Sequence, residues 1–210
     1  MGAELTFVLD AAAVRVLDAD TELMLRFQAG DAACFDDLVA RYRKPLLGFL
    51  YRMVRDLAAC EELLQEAFLR VYLHRARYQP QARFSTWIYQ IAQHLALNYI
   101  RDHRRDKLSD SLDAPAVGVH ADAAPRELPD HRPTVEQALL ARSISDQRTA
   151  RIRAAITALP ERQRTAVVLH KYQGLNYSEI GGILGLSESA TKSLLFRAYE
   201  SLRRDLEDLL

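Results

Sequence analysis

The sequence predicts an all-α chain: two small helical domains joined by a flexible acidic linker. Three observations carry that reading. Apolar residues recur at three- and four-residue spacing over most of the chain, and no segment alternates as a half-buried strand would. Residues 110–134, DSLDAPAVGVHADAAPRELPDHRPT, hold four of the seven prolines and no apolar periodicity, as a solvated connector does. Charge is also partitioned. The net charge is zero, yet residues 106–146 carry 4 Lys/Arg against 8 Asp/Glu, while residues 147–210 carry 10 against 7. A neutral total therefore hides a basic end behind an acidic middle, and nucleic acid is not excluded as a partner.

Upstream of the connector, four helices are expected. The first lies near Thr21 to Ala29 and closes at Gly30. The second starts at Asp31 and runs past Tyr51, with a bend at Pro45. The third covers about Leu57 to Tyr78, and the fourth runs from about Ser85 to His103 into the basic cluster RDHRR. Downstream, a helix from about Asp146 to Ala158 breaks at Leu159-Pro160, and the next takes Pro160 as its first residue and closes at Gly174. The domains follow as an N-terminal extension (1–19), a helical bundle (20–106), a linker (107–145) and a second helical domain (146–210).

Several classes are set aside at this stage. No apolar run approaches the roughly 20 residues that span a bilayer, and the first 20 residues lack a basic start and carry acids, unlike a signal peptide. A cytoplasmic protein without membrane insertion is expected. Cys34 and Cys60 make no metal-ligand spacing and read as buried thiols. The six histidines are scattered, and no nucleophile–base set or glycine-rich phosphate loop appears, so neither an enzyme nor a metal or cofactor is expected.

NYSEIGGILGLSES (176–189) is the most telling stretch. Asn176 is a good N-cap with Glu179 placed for a capping box. Gly185 falls where a helix ends in the left-handed conformation, and Ser187 would cap the next helix. That next helix puts Thr191, Leu194, Leu195, Ala198 and Leu202 on one face and Glu188, Ser189, Lys192, Ser193 and Phe196 on the other, with Arg197 at its margin. Two short helices around a glycine turn fit a helix-turn-helix, whose second helix enters the major groove. An ordinary helical hairpin fits the same pattern. Gly181 sits where two helices approach; Gly182 falls on the exposed side without a readable role.

With the preceding helix included, ALPERQRTAVVLHKYQGLNYSEIGGILGLSESATKSLLFRAYESLRR resembles region 4 of the bacterial sigma-70 family. Leu159, Pro160, Arg164, Gly174, Tyr177, Glu179, Ile180, Leu184, Gly185, Ser187, Lys192, Ser193, Arg197 and Ala198 keep its pattern, whereas Leu194 and Tyr199 stand where arginine is frequent. Regulators resembling LuxR carry a similar motif, so a stand-alone regulator remains the alternative for this half. Upstream, ACEELLQEAFLRVY resembles sigma region 2.2, and FSTWIYQIAQHLALNYIRDHRR resembles regions 2.3 and 2.4. Both halves in order, with nothing resembling regions 1.1 or 3, point to the extracytoplasmic-function class.

The resemblance implies a non-catalytic initiation subunit that directs core RNA polymerase to promoters. Glu62, Gln65, Glu66 and Leu69 share one helical stripe, which also describes a solvated acidic face. By resemblance it docks on the β′ clamp helices, and region 4 meets the β flap. Gln93, Asn98 and Arg101, with Arg104 and Arg105, match the helix that reads the −10 element together with its adjoining loop. Trp87 shares a stripe with Ile91 and Leu95 and reads as core, while Phe84 and Tyr89 are weaker stacking candidates. Glu188, Ser189, Lys192, Ser193 and Arg197 are the candidates for the −35 element. The remaining implied partners are promoter DNA and an anti-sigma factor.

Overall fold

Asp18 opens the first helix by accepting the Thr21 amide at 3.1 Å. In this computed structural model, residues 18–110 and 135–209 are described, with side chains for 18–103 and 146–209. Helix α1 (Ala19–Gln28) ends before Gly30, whose φ of 111° lets the chain turn into α2 (Ala33–Val54). Asp56 caps α3 (Leu57–His74) through the Ala59 amide at 3.1 Å, and a 3-10 turn over Arg75–Arg77 follows. Helix α4 spans Phe84–Asp110 and α5 spans Val135–Ala158. Helices α6 (Glu161–Gln173), α7 (Tyr177–Leu184) and α8 (Glu188–Asp205) complete the fold, with a last 3-10 turn at Glu207–Leu209. No strand occurs among the described residues.

Helices α1, α3 and α4 all pack on α2, which buries Leu38, Tyr42, Leu46, Phe49, Leu50 and Met53. Fully burying one such side chain is worth roughly 1.5–3 kcal/mol, so this face organises the bundle. Asp20 ties α1 to α2, taking a hydrogen bond from Tyr42 at 2.6 Å and an ion pair from Arg41 at 2.6 Å. The helix continues through Pro45 to Arg55, whose φ of 66° is the one positive value outside glycine among the described residues.

The second half repeats the logic. Gly174 (φ 66°) ends α6, and the Asn176–Glu179 capping box starts α7 with both bonds at 2.9 Å. Gly185 (φ 65°) closes α7, and Ser187 caps α8 through the Ala190 amide at 3.2 Å. Pro160 differs by one position from expectation. Its ψ of 143° leaves it just outside α6, while its carbonyl already accepts the Arg164 amide at 2.9 Å.

Two expected boundaries move. Helix α4 runs on to Asp110 and α5 begins at Val135, so both enter the stretch read as linker. RRDKLSD and VEQALLARSIS contain no proline and are rich in helix formers, and acidic charge alone is no helix breaker. Residues 111–134, most of that linker, and residues 1–17, nearly all of the expected extension, lie outside the described residues.

The halves are also docked on each other. Helix α6 packs on α2 and α7 packs on α4, so one apolar cluster contains Phe49 and Met53 together with Val167, Val168 and Leu169. Ala166, Val167, Val168 and Leu169 are consecutive and all buried, because α6 faces α2 on one side and α8 on another. A helix with one covered face would show three- and four-residue spacing instead.

Gly181 has no room for a side chain: a Cβ there would lie 2.6 Å from the Leu186 carbonyl oxygen. Gly181→Ala is expected to destabilise the protein by about 1–3 kcal/mol despite alanine's better helix propensity. Gly181→Leu should fail to fold around α7 and α8. Thermal unfolding followed by circular dichroism checks both; unchanged midpoints would remove the close approach as a constraint.

Candidate functional site

Three surfaces stand out. On α3, Val71, Phe68 and Leu64 turn into the core, which forces the residues between them outward. Glu62 and Gln65 are exposed, and Glu66 is half-exposed in a 2.7 Å ion pair with Arg70. Leu69 and Leu73 are 50% and 62% exposed, with Tyr72 at 44%. An acidic stripe thus ends in an uncovered apolar patch. Leu73 and Tyr72 extend the expected site by one helical turn; their signal in the sequence is Leu73 standing four residues past Leu69.

The second surface is the outer end of α4. Asn98 is exposed and accepts a hydrogen bond from Arg101 at 2.9 Å, so the structure brings these two together. Tyr99 stacks on His103 with ring centroids 3.8 Å apart. Arg104 and Arg105 lie on the same helix, but their side chains are outside the described residues. Gln93 is different. It is 6% exposed, and its Oε1 has no hydrogen-bond partner among the described residues. Gln93, expected near Asn98 in the −10 set, is turned inward in this structure, because α4 buries that face against its neighbours. Trp87 packs on Tyr78 at 5.1 Å and Phe84 at 6.2 Å, as a core residue would. Phe84 and Tyr89 are buried as well.

The loop before α4 is held rigidly. Thr21 Oγ1 accepts the Phe84 amide at 3.2 Å and the Tyr78 hydroxyl at 3.4 Å while donating to Asp18 at 2.8 Å. Gln28 Nε2 donates to the carbonyls of Arg75 at 3.0 Å and of Ala76 and Tyr78 at 3.2 Å. Four of those acceptors and donors are main-chain groups, which only a fixed neighbour satisfies. Pro80, Gln81, Ala82 and Arg83 then face α7 across an open cleft of about 550 Å³.

The third surface is α8. Thr191, Leu194, Leu195 and Ala198 are buried; Glu188, Ser189, Lys192, Ser193 and Arg197 are exposed. All five expected residues therefore share the open face. Glu188 pairs with Lys192 at 2.8 Å, and that hydrogen bond holds the Lys192 ammonium charged to higher pH than usual. Phe196 joins the same face at 66% exposure, an apolar tip among polar groups. Leu194 and Tyr199, the two departures from arginine, are structural here. Leu194 is core, and the Tyr199 hydroxyl meets His170 Nδ1 at 2.7 Å.

The geometry is that of an exposed acidic stripe ending in apolar side chains, a polar helix end beside a hydrogen-bonded loop, and a helix-turn-helix. The family described as Sigma-70 region 2 matches residues 38–106, and Sigma-70, region 4 matches residues 149–202. The sigma-H factor of Pseudomonas aeruginosa is 31% identical over 194 residues, covering 92% of this chain and 96% of the relative. CarQ, an RNA polymerase sigma factor of Myxococcus xanthus, is 37% identical over 186 residues, covering 89% and 97%. SigW of Bacillus subtilis, an extracytoplasmic-function (ECF) factor, is 31% identical over 180 residues, covering 86% and 92%.

Solved structures share the fold. CnrH, in complex with the cytosolic domain of CnrY, has a TM-score of 0.62 at 19% identity, covering 91% of this chain and 99% of CnrH. RpoE of Bartonella quintana, in complex with the anti-sigma factor NepR, has a TM-score of 0.60 at 19% identity, covering 82% and 96%. This chain belongs to the sigma-70 family of RNA polymerase sigma factors, in the ECF class. It directs RNA polymerase to promoters. Among the described residues, no helix is long and apolar enough to cross a membrane.

Gln93 offers a direct check. Replacing a buried, unpartnered amide with an apolar side chain of similar shape is close to neutral or stabilising. Gln93→Leu is expected to keep or raise the unfolding midpoint, within about 1 kcal/mol. A loss of more than about 2 kcal/mol in chemical denaturation would show that the amide is satisfied after all.

Proposed function

We propose a division of labour in which residues 20–106 hold core polymerase and read the −10 element, and residues 146–210 read the −35 element. Residues 107–145 tether the two, and residues 1–19 are an extension. The stripe of Glu62, Gln65, Glu66 and Leu69, continued by Leu73, takes the β′ clamp helices. Asn98 and Arg101, with Arg104 and Arg105 and the loop before α4, take the −10 strand, and region 4 also meets the β flap. Glu188, Ser189, Lys192, Ser193 and Arg197 take the −35 duplex.

The observation that carries this reading is the exposed α3 stripe. Leu69 and Leu73 are uncovered on a helix whose other faces are packed, and a DNA-binding regulator acting alone has no use for such a patch. Basic and hydroxyl side chains on α8 suit phosphates and base edges, and Phe196 suits a thymine methyl. On this reading the chain has no catalytic step of its own and works in the cytoplasm. Its structural neighbours were solved with CnrY and with the anti-sigma factor NepR, and a regulatory partner of the anti-sigma kind is proposed here too.

The deciding experiment is reconstitution with core polymerase, followed by promoter-dependent transcription. Tight duplex binding without association with core would sink the assignment and favour a LuxR-like regulator. Leu69→Ala should weaken core binding about tenfold, or about 1.4 kcal/mol, measured by titration calorimetry. Its unfolding midpoint should stay put, since Leu69 is half exposed. Lys192→Ala should weaken promoter binding by the holoenzyme and lower the magnitude of the log–log salt slope by about one. An unchanged slope would take Lys192 off the phosphates.

A further inference from the structure

A cation of the proposed −35 face is held by more than its own helix. Lys192 Nζ lies 5.7 Å from the centre of the Tyr177 ring, within the reach at which a cation is drawn to an aromatic face. Tyr177 is the first residue of α7, where the Asn176–Glu179 capping box fixes the backbone. His170 of α6 stacks on the same ring, with centroids 5.4 Å apart and planes 15° apart. His170 is itself oriented by Tyr199 of α8, whose hydroxyl stands 2.7 Å from Nδ1. A row of aromatic side chains therefore connects α6, α7 and α8 and ends at the Lys192 ammonium.

The geometry points to Tyr177 as a positioning residue that aims the Lys192 ammonium at a backbone phosphate of the −35 duplex. The pair then acts as a clamp on the backbone and not as a reader of a base. This rests on the proposed assignment of Lys192 to that duplex. Place is the first argument. In a helix-turn-helix the second helix enters the major groove while the first crosses the backbone. Lys192 stands on the second helix and Tyr177 at the start of the first. The ammonium therefore bridges the groove-facing element and the backbone-facing one.

The second argument is what each neighbour asks of the ammonium. Glu188 holds it at 2.8 Å, but both partners are more than half exposed, and an exposed pair one helical turn apart is weak and screened by salt. A phosphate would also meet that carboxylate as a like charge. The Tyr177 ring carries no charge and takes up no N–H of the ammonium, whose three donors stay available for phosphate oxygens. A lysine side chain has several rotatable bonds, and ordering it at the moment of binding costs affinity. A ring fixed against two other helices lowers that cost beforehand. Tyr199 fits the same account: standing where arginine is frequent, it supplies no cation and instead orients His170.

Promoter binding by the reconstituted holoenzyme tests the clamp. Tyr177→Leu keeps apolar bulk and removes the aromatic face; it should weaken binding about two- to fivefold, the worth of one exposed contact between a cation and a ring. The loss should be the same on promoters that carry single base changes in the −35 element, since a phosphate contact holds no sequence information. Tyr177→Phe keeps the face and should restore binding to that of the unaltered protein. In a Lys192→Ala background, Tyr177→Leu should cost nothing further. No loss, additive losses, a Phe variant as weak as the Leu variant, or a loss confined to particular bases would overturn the proposal. In the free full chain, the Lys192 Cε protons should show an upfield ring-current shift by NMR. Its absence would overturn the proposal whether or not Tyr177→Leu folds. A Lys192→Ala holoenzyme that binds promoters as before would instead sink the assignment of Lys192 to the −35 duplex.

Discussion

Burial of α2 is the constraint on which the rest of the structure depends. Leu38, Tyr42, Leu46, Phe49, Leu50 and Met53 are turned inward along its 22 residues, and α1, α3, α4 and α6 each cover part of that surface. Four neighbours around one helix leave little freedom elsewhere. With α3 seated through Leu64, Phe68 and Val71, its opposite stripe must face solvent. With α4 seated through Phe84, Ile88, Ala92 and Ala96, its N-terminal loop must pass beneath α1, where Thr21 and Gln28 collect the main-chain groups. The outward surfaces are consequences of the inward ones.

The same reasoning explains what the sequence made legible. Capping residues and turn glycines act locally, so Asn176, Glu179, Gly174, Gly185 and Ser187 could be placed from their neighbours in the chain and appear as expected. The two faces of α8 were also legible, because burial of Thr191, Leu194, Leu195 and Ala198 at helical spacing leaves only one side for the polar set. The ends of α4 and α5 were not. Acidic composition and prolines nearby masked two stretches that hold no helix breaker, and composition averages over such detail.

What escaped the sequence is everything that depends on the halves meeting. Gln93 was grouped with Asn98 on a helix that resembles a strand-reading element, yet it is only 6% exposed, and burial is decided by packing that a local pattern does not show. Tyr89 is similar: its ring packs on Phe49 at 5.5 Å while its hydroxyl reaches Gln173 in the other half. One sign was present, though. Four consecutive apolar residues, Ala166 to Leu169, inside a buried run that starts at Arg164, exceed what a helix covered only by α8 would require. A continuous apolar run on a short helix of a small domain asks for a second partner, and α2 is that partner.

Gly181 and Gly182 show how adjacent, chemically identical residues answer to different levels of structure. Gly181 serves the helix-turn-helix itself, since a Cβ would collide with the Leu186 carbonyl across the turn. Its cause lies within five residues and is visible in a pattern. Gly182 points away from that turn and meets Thr86, 96 positions earlier in the chain. Considered within α7 alone it is only a poor helix former, a cost of roughly 1 kcal/mol relative to alanine. Set against α4 it is what lets α7 come within contact of Thr86. The penalty is local and the compensation is long-range, which is why the residue looked unexplained until both halves were seen together.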